Sequence, residues 1–64
     1  MDYTKTQEER LYDFYLTKQS TEWKKEILGW ESFHEPNTKV SIKVNFTWGW
    51  LRVYQKLNGE VEWY

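Results

Sequence analysis

The sequence has no cysteine and no alanine, one proline, three glycines and one histidine. Without cysteine there is no disulfide staple, no thiolate nucleophile and no thiolate zinc site. No apolar run approaches the ~20 residues that cross a bilayer, and mean hydropathy is −0.95. The opening residues, Met1 to Lys5, lack the apolar stretch behind a positive cluster that marks a secretory signal, so a cytoplasmic setting is expected. An excess of one charge is missing too. Nine Lys and Arg stand against ten Asp and Glu, a net charge of −1, which argues against strong phosphate neutralisation and against acidic mimicry of DNA.

Aromatic side chains are what the chain has in quantity: five Trp, five Tyr and three Phe in 64 residues. That length makes one small domain with little apolar surface to spare. Nearly every large side chain must be covered, and a ring cluster left bare is expected to meet a partner or a second copy of the chain.

The spacing predicts a helix over 4–19. Thr6 and Glu9 have the capping-box separation, Glu8 and Glu9 suit the positive end of the helix dipole, and Leu11, Phe14 and Tyr15 recur at i, i+3, i+4 beside Tyr12 and Leu16. Ser20 and Thr21 offer a second cap, which predicts a short helix over 21–28; the competing reading makes 26–34 a strand that turns at Pro36 and Asn37. Strict alternation of Val40, Ile42, Val44 and Phe46 predicts a strand over 39–46, followed by strands at 51–57 and 60–64. The fold class is therefore α+β, with one or two N-terminal helices on an antiparallel meander of three strands, or four if 26–34 is extended.

Register follows from the pattern. A reversal at Trp48 and Gly49 pairs Phe46 with Leu51, Val44 with Val53 and Val40 with Leu57, whereas an odd loop would set apolar against polar. Asn58-Gly59 predicts a two-residue type I′ turn. Together these place Val40, Ile42, Val44, Phe46, Leu51, Val53, Leu57 and Tyr64 on a face packed against the helices. Lys43, Trp50, Arg52, Tyr54, Lys56, Val61 and Trp63 fall on the other.

That second face carries the functional expectation. Trp50, Tyr54 and Trp63 interleave with Lys43, Arg52 and Lys56, and Trp48 sits at the turn, where a bare indole folds back or inserts into a partner. Trp, Tyr and Arg dominate interface hot spots, so the leading expectation is a non-enzymatic protein-binding module with Trp50, Tyr54 and Trp63 as anchors and Arg52 and Lys56 as orienting charges. The same π surfaces and cations could stack bases, which makes a single-stranded nucleic-acid binder the alternative. Closure of a homodimer through this face or an edge strand is a third reading. Cross-strand stabilisation of an exposed sheet would also account for the pattern.

Catalysis finds little footing. His34 stands beside Glu35 and Pro36, no Gly-rich phosphate loop is present, and the Glu31-x-x-His34 spacing lacks the further carboxylates and second motif of a di-metal site. No metal, cofactor or catalytic residue is assigned. The compact, cysteine-free, aromatic-rich make-up resembles in type the small proteins of phages and mobile elements, which implies a regulator or inhibitor that occupies a surface of a larger host protein.

Overall fold

A computed structural model describes residues 5–64. Its elements run α1 (Gln7–Thr17), α2 (Thr21–Lys24), β1 (Ile27–Ser32), β2 (Thr38–Phe46), β3 (Gly49–Lys56) and β4 (Val61–Trp63). The strands form one antiparallel sheet in the order β1-β2-β3-β4, with α1 packed on one face. The shortest dimension is 18 Å, which fits one helix layer on one sheet and leaves the opposite sheet face without a helix. Among the described residues no helix is long and apolar enough to cross a membrane.

The α+β class stands, with four strands rather than three. Helix α1 begins where the capping box placed it: Thr6 Oγ1 accepts from the Glu9 amide at 3.1 Å, and the Glu9 carboxylate accepts from the Thr6 amide at 2.8 Å. The expected start at Thr4 lies outside the described residues. Leu11 and Tyr15, one turn apart, are buried, while Phe14 is 43% exposed beside Lys18. The expected helix over 21–28 is corrected to one turn. Ser20 caps it as expected, accepting from the Trp23 amide at 3.1 Å, but the Glu26 carbonyl accepts from the Thr47 amide at 3.0 Å and the Glu26 carboxylate from the Thr47 hydroxyl. Capture by β2 thus draws the next residues into the sheet, an example of tertiary pairing overriding local helical spacing.

Strand β1 carries a bulge. Ile27 pairs with Phe46 and Gly29 with Asn45, so Leu28 is left over and is 71% exposed. The extra residue puts Ile27 and Trp30 on the same, helix-covered side, where Trp30 meets Tyr12 at 5.8 Å between ring centroids. Had the strand paired without a bulge, parity would have sent one of them to the opposite face.

Both hairpins differ from the expected turns. Between β2 and β3 the loop is Thr47-Trp48, so Phe46 faces Gly49, Val44 faces Leu51 and Ile42 faces Val53. This is two residues off the expected pairing, and because side chains alternate with period two, the face assignments of Phe46, Val44, Ile42, Leu51 and Val53 survive. Positive φ falls on Gly49 (155°) rather than inside the turn. The second hairpin is shifted by one residue, and its consequences are larger. Its loop is Leu57-Asn58-Gly59, closed by Gly59 N–H to Lys56 C=O at 2.9 Å and Lys56 N–H to Glu60 C=O at 2.7 Å. Only Gly59 has positive φ (98°) there, so the expected type I′ turn, which needs it at both Asn58 and Gly59, does not form. The three-residue loop flips β4: Val61 and Trp63 turn to the core and Tyr64 turns to the other face, reversing all three expected positions. Leu57, expected in the core, is 66% exposed in the loop.

The core is Leu11, Tyr15, Ile42, Val44, Phe46 and Val53, all at most 5% exposed, with Trp30, Val61 and Trp63 packed against it. Trp63 meets Tyr15 edge-on at 5.1 Å, and the Tyr15 hydroxyl accepts from Trp23 Nε1 at 3.0 Å. A buried phenol needs a partner, and Trp23 supplies it.

Candidate interaction surface

The sheet face away from α1 is built by alternation along β3, which presents Trp50, Arg52 and Tyr54 on one side. Strand β2 adds Lys43 opposite Arg52 and Asn45 opposite Trp50. Tyr64 lies beside Arg52 through reciprocal backbone hydrogen bonds, Arg52 N–H to Tyr64 C=O at 3.0 Å and Tyr64 N–H to Arg52 C=O at 3.1 Å. From the far side, the chain after β1 crosses over β2. Ser41 pins it there: its hydroxyl donates to the Phe33 carbonyl and accepts from the Glu35 amide at 3.1 Å, and Ser41 is only 6% exposed beneath. The Thr38 hydroxyl donates to the Glu35 carbonyl at 2.7 Å, and Asn37 at φ 63° turns the chain back into β2. Residues 33–37 are thus a strap laid across the open face.

Arg52 is the centre of this arrangement. Its guanidinium carbon lies 4.7 Å from the Tyr64 ring centroid, 5.2 Å from Trp50 and 5.7 Å from Phe33, so three rings enclose one cation. Glu35 on the strap approaches Arg52 Nη1 at 3.7 Å, and Nη1 reaches the Tyr64 hydroxyl at 3.3 Å. Lys43 leans on the same indole, 4.9 Å from its centroid. Two like charges opposite each other on neighbouring strands would repel, and sharing the electron-rich Trp50 ring offsets that repulsion. Trp50 remains 41% exposed and Tyr64 63%.

Tyr54 and Lys56 belong to a neighbouring network. The Tyr54 hydroxyl donates to Glu62 at 2.8 Å, and Lys56 donates to the same carboxylate at 3.3 Å and pairs with Glu60 at 3.5 Å. Hydrogen bonding to Glu62, followed by burial and the negative charge of Glu62, pushes the Tyr54 phenol up to about 12. The Glu62 carboxyl is lowered by the Tyr54 hydrogen bond and then by Lys56, and Lys56 is raised by its bond to Glu62.

Of the expected site residues, the structure gathers Trp50, Arg52, Lys43, Tyr54 and Lys56 on one face. Trp63 is not among them, because the one-residue shift turned it into the core. Trp48 is elsewhere too: it stacks on Phe46 at 4.6 Å and meets Trp23 at 5.4 Å, folded back beside α2 while still 51% exposed. Sequence reasoning missed Tyr64, Phe33, Glu35 and Ser41. Pro36-Asn37 signalled the turn after the strap, but nothing in the alternation of β2 signals that a loop lies over Ser41. The Glu31-x-x-His34 pair does not share a helix: Glu31 is on β1, accepting from Asn45 Nδ2 at 3.0 Å, and His34 is on the strap. Among the described residues no three His, Asp or Glu side chains gather as a metal site. Comparison of the chain with protein-family models, with curated proteins and with solved structures finds no match.

Proposed function

We propose that this chain is a non-enzymatic protein-binding module, a regulator or inhibitor of the kind phages and mobile elements encode, that works by occupying a surface of a larger protein. Its contact patch is the open sheet face, with Trp50 and Tyr64 as exposed anchors and Arg52 held between them. The observation that carries the reading is the prior ordering of that patch: Arg52 is fixed by three rings and by a strap that Ser41 pins before any partner arrives. Side chains already immobilised lose little further freedom on association, and such anchors are the residue types that carry interface energy. A reducing compartment such as the cytoplasm suits a fold that owes nothing to disulfides.

The nucleic-acid alternative uses the same rings but asks for free cations along a track. Lys56 is engaged by Glu60 and Glu62 and Arg52 faces Glu35, so of the three only Lys43 makes no ion pair among the described residues. That balance weighs against a phosphate backbone. The test is affinity capture with the native chain and with a Trp50→Ser/Tyr64→Ser variant. Loss of the captured protein with unchanged far-UV circular dichroism is the expected result, and equal capture by both would refute the assignment of the patch.

A further inference from the structure

Arg52 is held firmly but satisfied poorly. Among the described residues its buried Nε has no hydrogen-bond partner, its guanidinium makes one ion pair, to Glu35 at 3.7 Å, beyond hydrogen-bond reach, and that guanidinium's one hydrogen bond is a 3.3 Å contact to the Tyr64 hydroxyl. A guanidinium has five N–H donors in a planar fork suited to bidentate oxygen acceptors. Three rings hold this one in place while its side chain stays about 30% exposed, so the terminal nitrogens are open to an incoming acceptor. Lys43 leans on Trp50 as well, and it makes no ion pair among the described residues. Two cations therefore flank one exposed indole; the carboxylates nearest them are Glu35, loosely placed at 3.7 Å from Arg52, and Glu31, which faces Lys43 across β1 and β2 but is engaged by Asn45.

Resting on the protein-binding reading, we propose that Trp50, Arg52 and Lys43 form a receptor for one side-chain carboxylate of the partner protein, presented from an apolar segment that lies over Trp50 and Tyr64. Arg52 takes the carboxylate through its fork, Lys43 adds a second donor across the ring, and the Glu35 side chain rotates aside as the incoming group replaces it, while the strap backbone stays pinned by Ser41. A single carboxylate touches only the centre of the patch. A run of phosphates would also meet Glu31 and Glu62, which lie on the same face, so the charge pattern favours an acidic side chain over a nucleic-acid strand.

The test is a titration of the full chain with the capped peptide acetyl-Leu-Glu-Leu-amide, its Gln counterpart and inorganic phosphate, followed by the NMR signals of Arg52 Nε–H and Trp50 Nε1–H at fixed ionic strength. The Glu peptide is expected to shift both signals saturably and the Gln peptide to shift neither. Glu35→Gln removes the competing carboxylate and is expected to tighten binding roughly 2–5-fold, a change the size of one exposed ion pair. Lys43→Gln is expected to weaken binding by a similar factor, and Arg52→Lys to abolish it. A purely structural Arg52–Glu35 pair predicts no gain from Glu35→Gln, and that outcome would overturn the proposal. So would saturation by phosphate without binding of the Glu peptide. If the Glu peptide fails while the native chain still captures a protein through Trp50 and Tyr64, the carboxylate receptor falls and the contact patch stands.

Discussion

Trp50 and Trp63 carry the same side chain and opposite roles. Trp63 packs edge-on against Tyr15, whereas Trp50 is exposed and touches mainly Arg52, Lys43 and Phe33. Trp63→Ser is expected to cost about 2 kcal/mol or more in chemical denaturation, the scale of large-to-small changes against a core. Trp50→Ser should cost less than about 1 kcal/mol, the scale of surface substitutions. Equal losses would mean that the faces are misassigned. The Tyr54–Glu62 pair adds a pH signature. A phenol raised from 10.0 to about 12 by a carboxylate favours the folded state while neutral. Its contribution is complete below pH 10, the ordinary tyrosine value, and is lost as pH rises from there through about 12. Glu62, lowered from 4.5, contributes above that pH and loses its effect as the solution becomes more acidic. Following the Tyr54 ring by NMR across alkaline pH should give a midpoint near 12, moving toward 10.0 in Glu62→Gln; an unmoved midpoint would exclude Glu62 as the cause.

Elements were legible in the sequence wherever a local rule decided them. The Thr6–Glu9 box marked the start of α1, Ser20 the cap of α2, and the Val40–Phe46 alternation the buried side of β2. What was not legible depends on one residue more or less. At the second hairpin, Lys56 rather than Leu57 faces Glu60, and that single residue exchanges Trp63 for Tyr64 on the open face. Asn-Gly is compatible with both loop lengths, since each needs a positive φ at the glycine, and the choice is made by packing: the longer loop buries Val61 and Trp63 against Tyr15 and Val53. The Leu28 bulge is of the same kind, because covering both Ile27 and Trp30 requires it. The strap is the element most open to experiment. Ser41→Ala removes the donor to Phe33 and the acceptor for the Glu35 amide, and a loss of about 1 kcal/mol is expected for the half-buried hydrogen bonds removed. Hydrogen exchange at the Glu35 amide should accelerate in this variant; unchanged protection would show that Ser41 does not hold the strap.

On the scale of the whole molecule, one helix layer covers one side of the sheet and leaves the other without a helix. The sheet edges are guarded in different ways, β1 by its bulge and β4 by its three-residue length, so face-on contact through the open side is favoured over strand addition. Placing a photo-reactive residue at position 64, on the open face, and separately at Thr17, exposed on α1, tests the central claim most directly. The account predicts a discrete protein cross-link from position 64 and none from Thr17. Cross-linking to nucleic acid, or to the same protein from both positions, would contradict it.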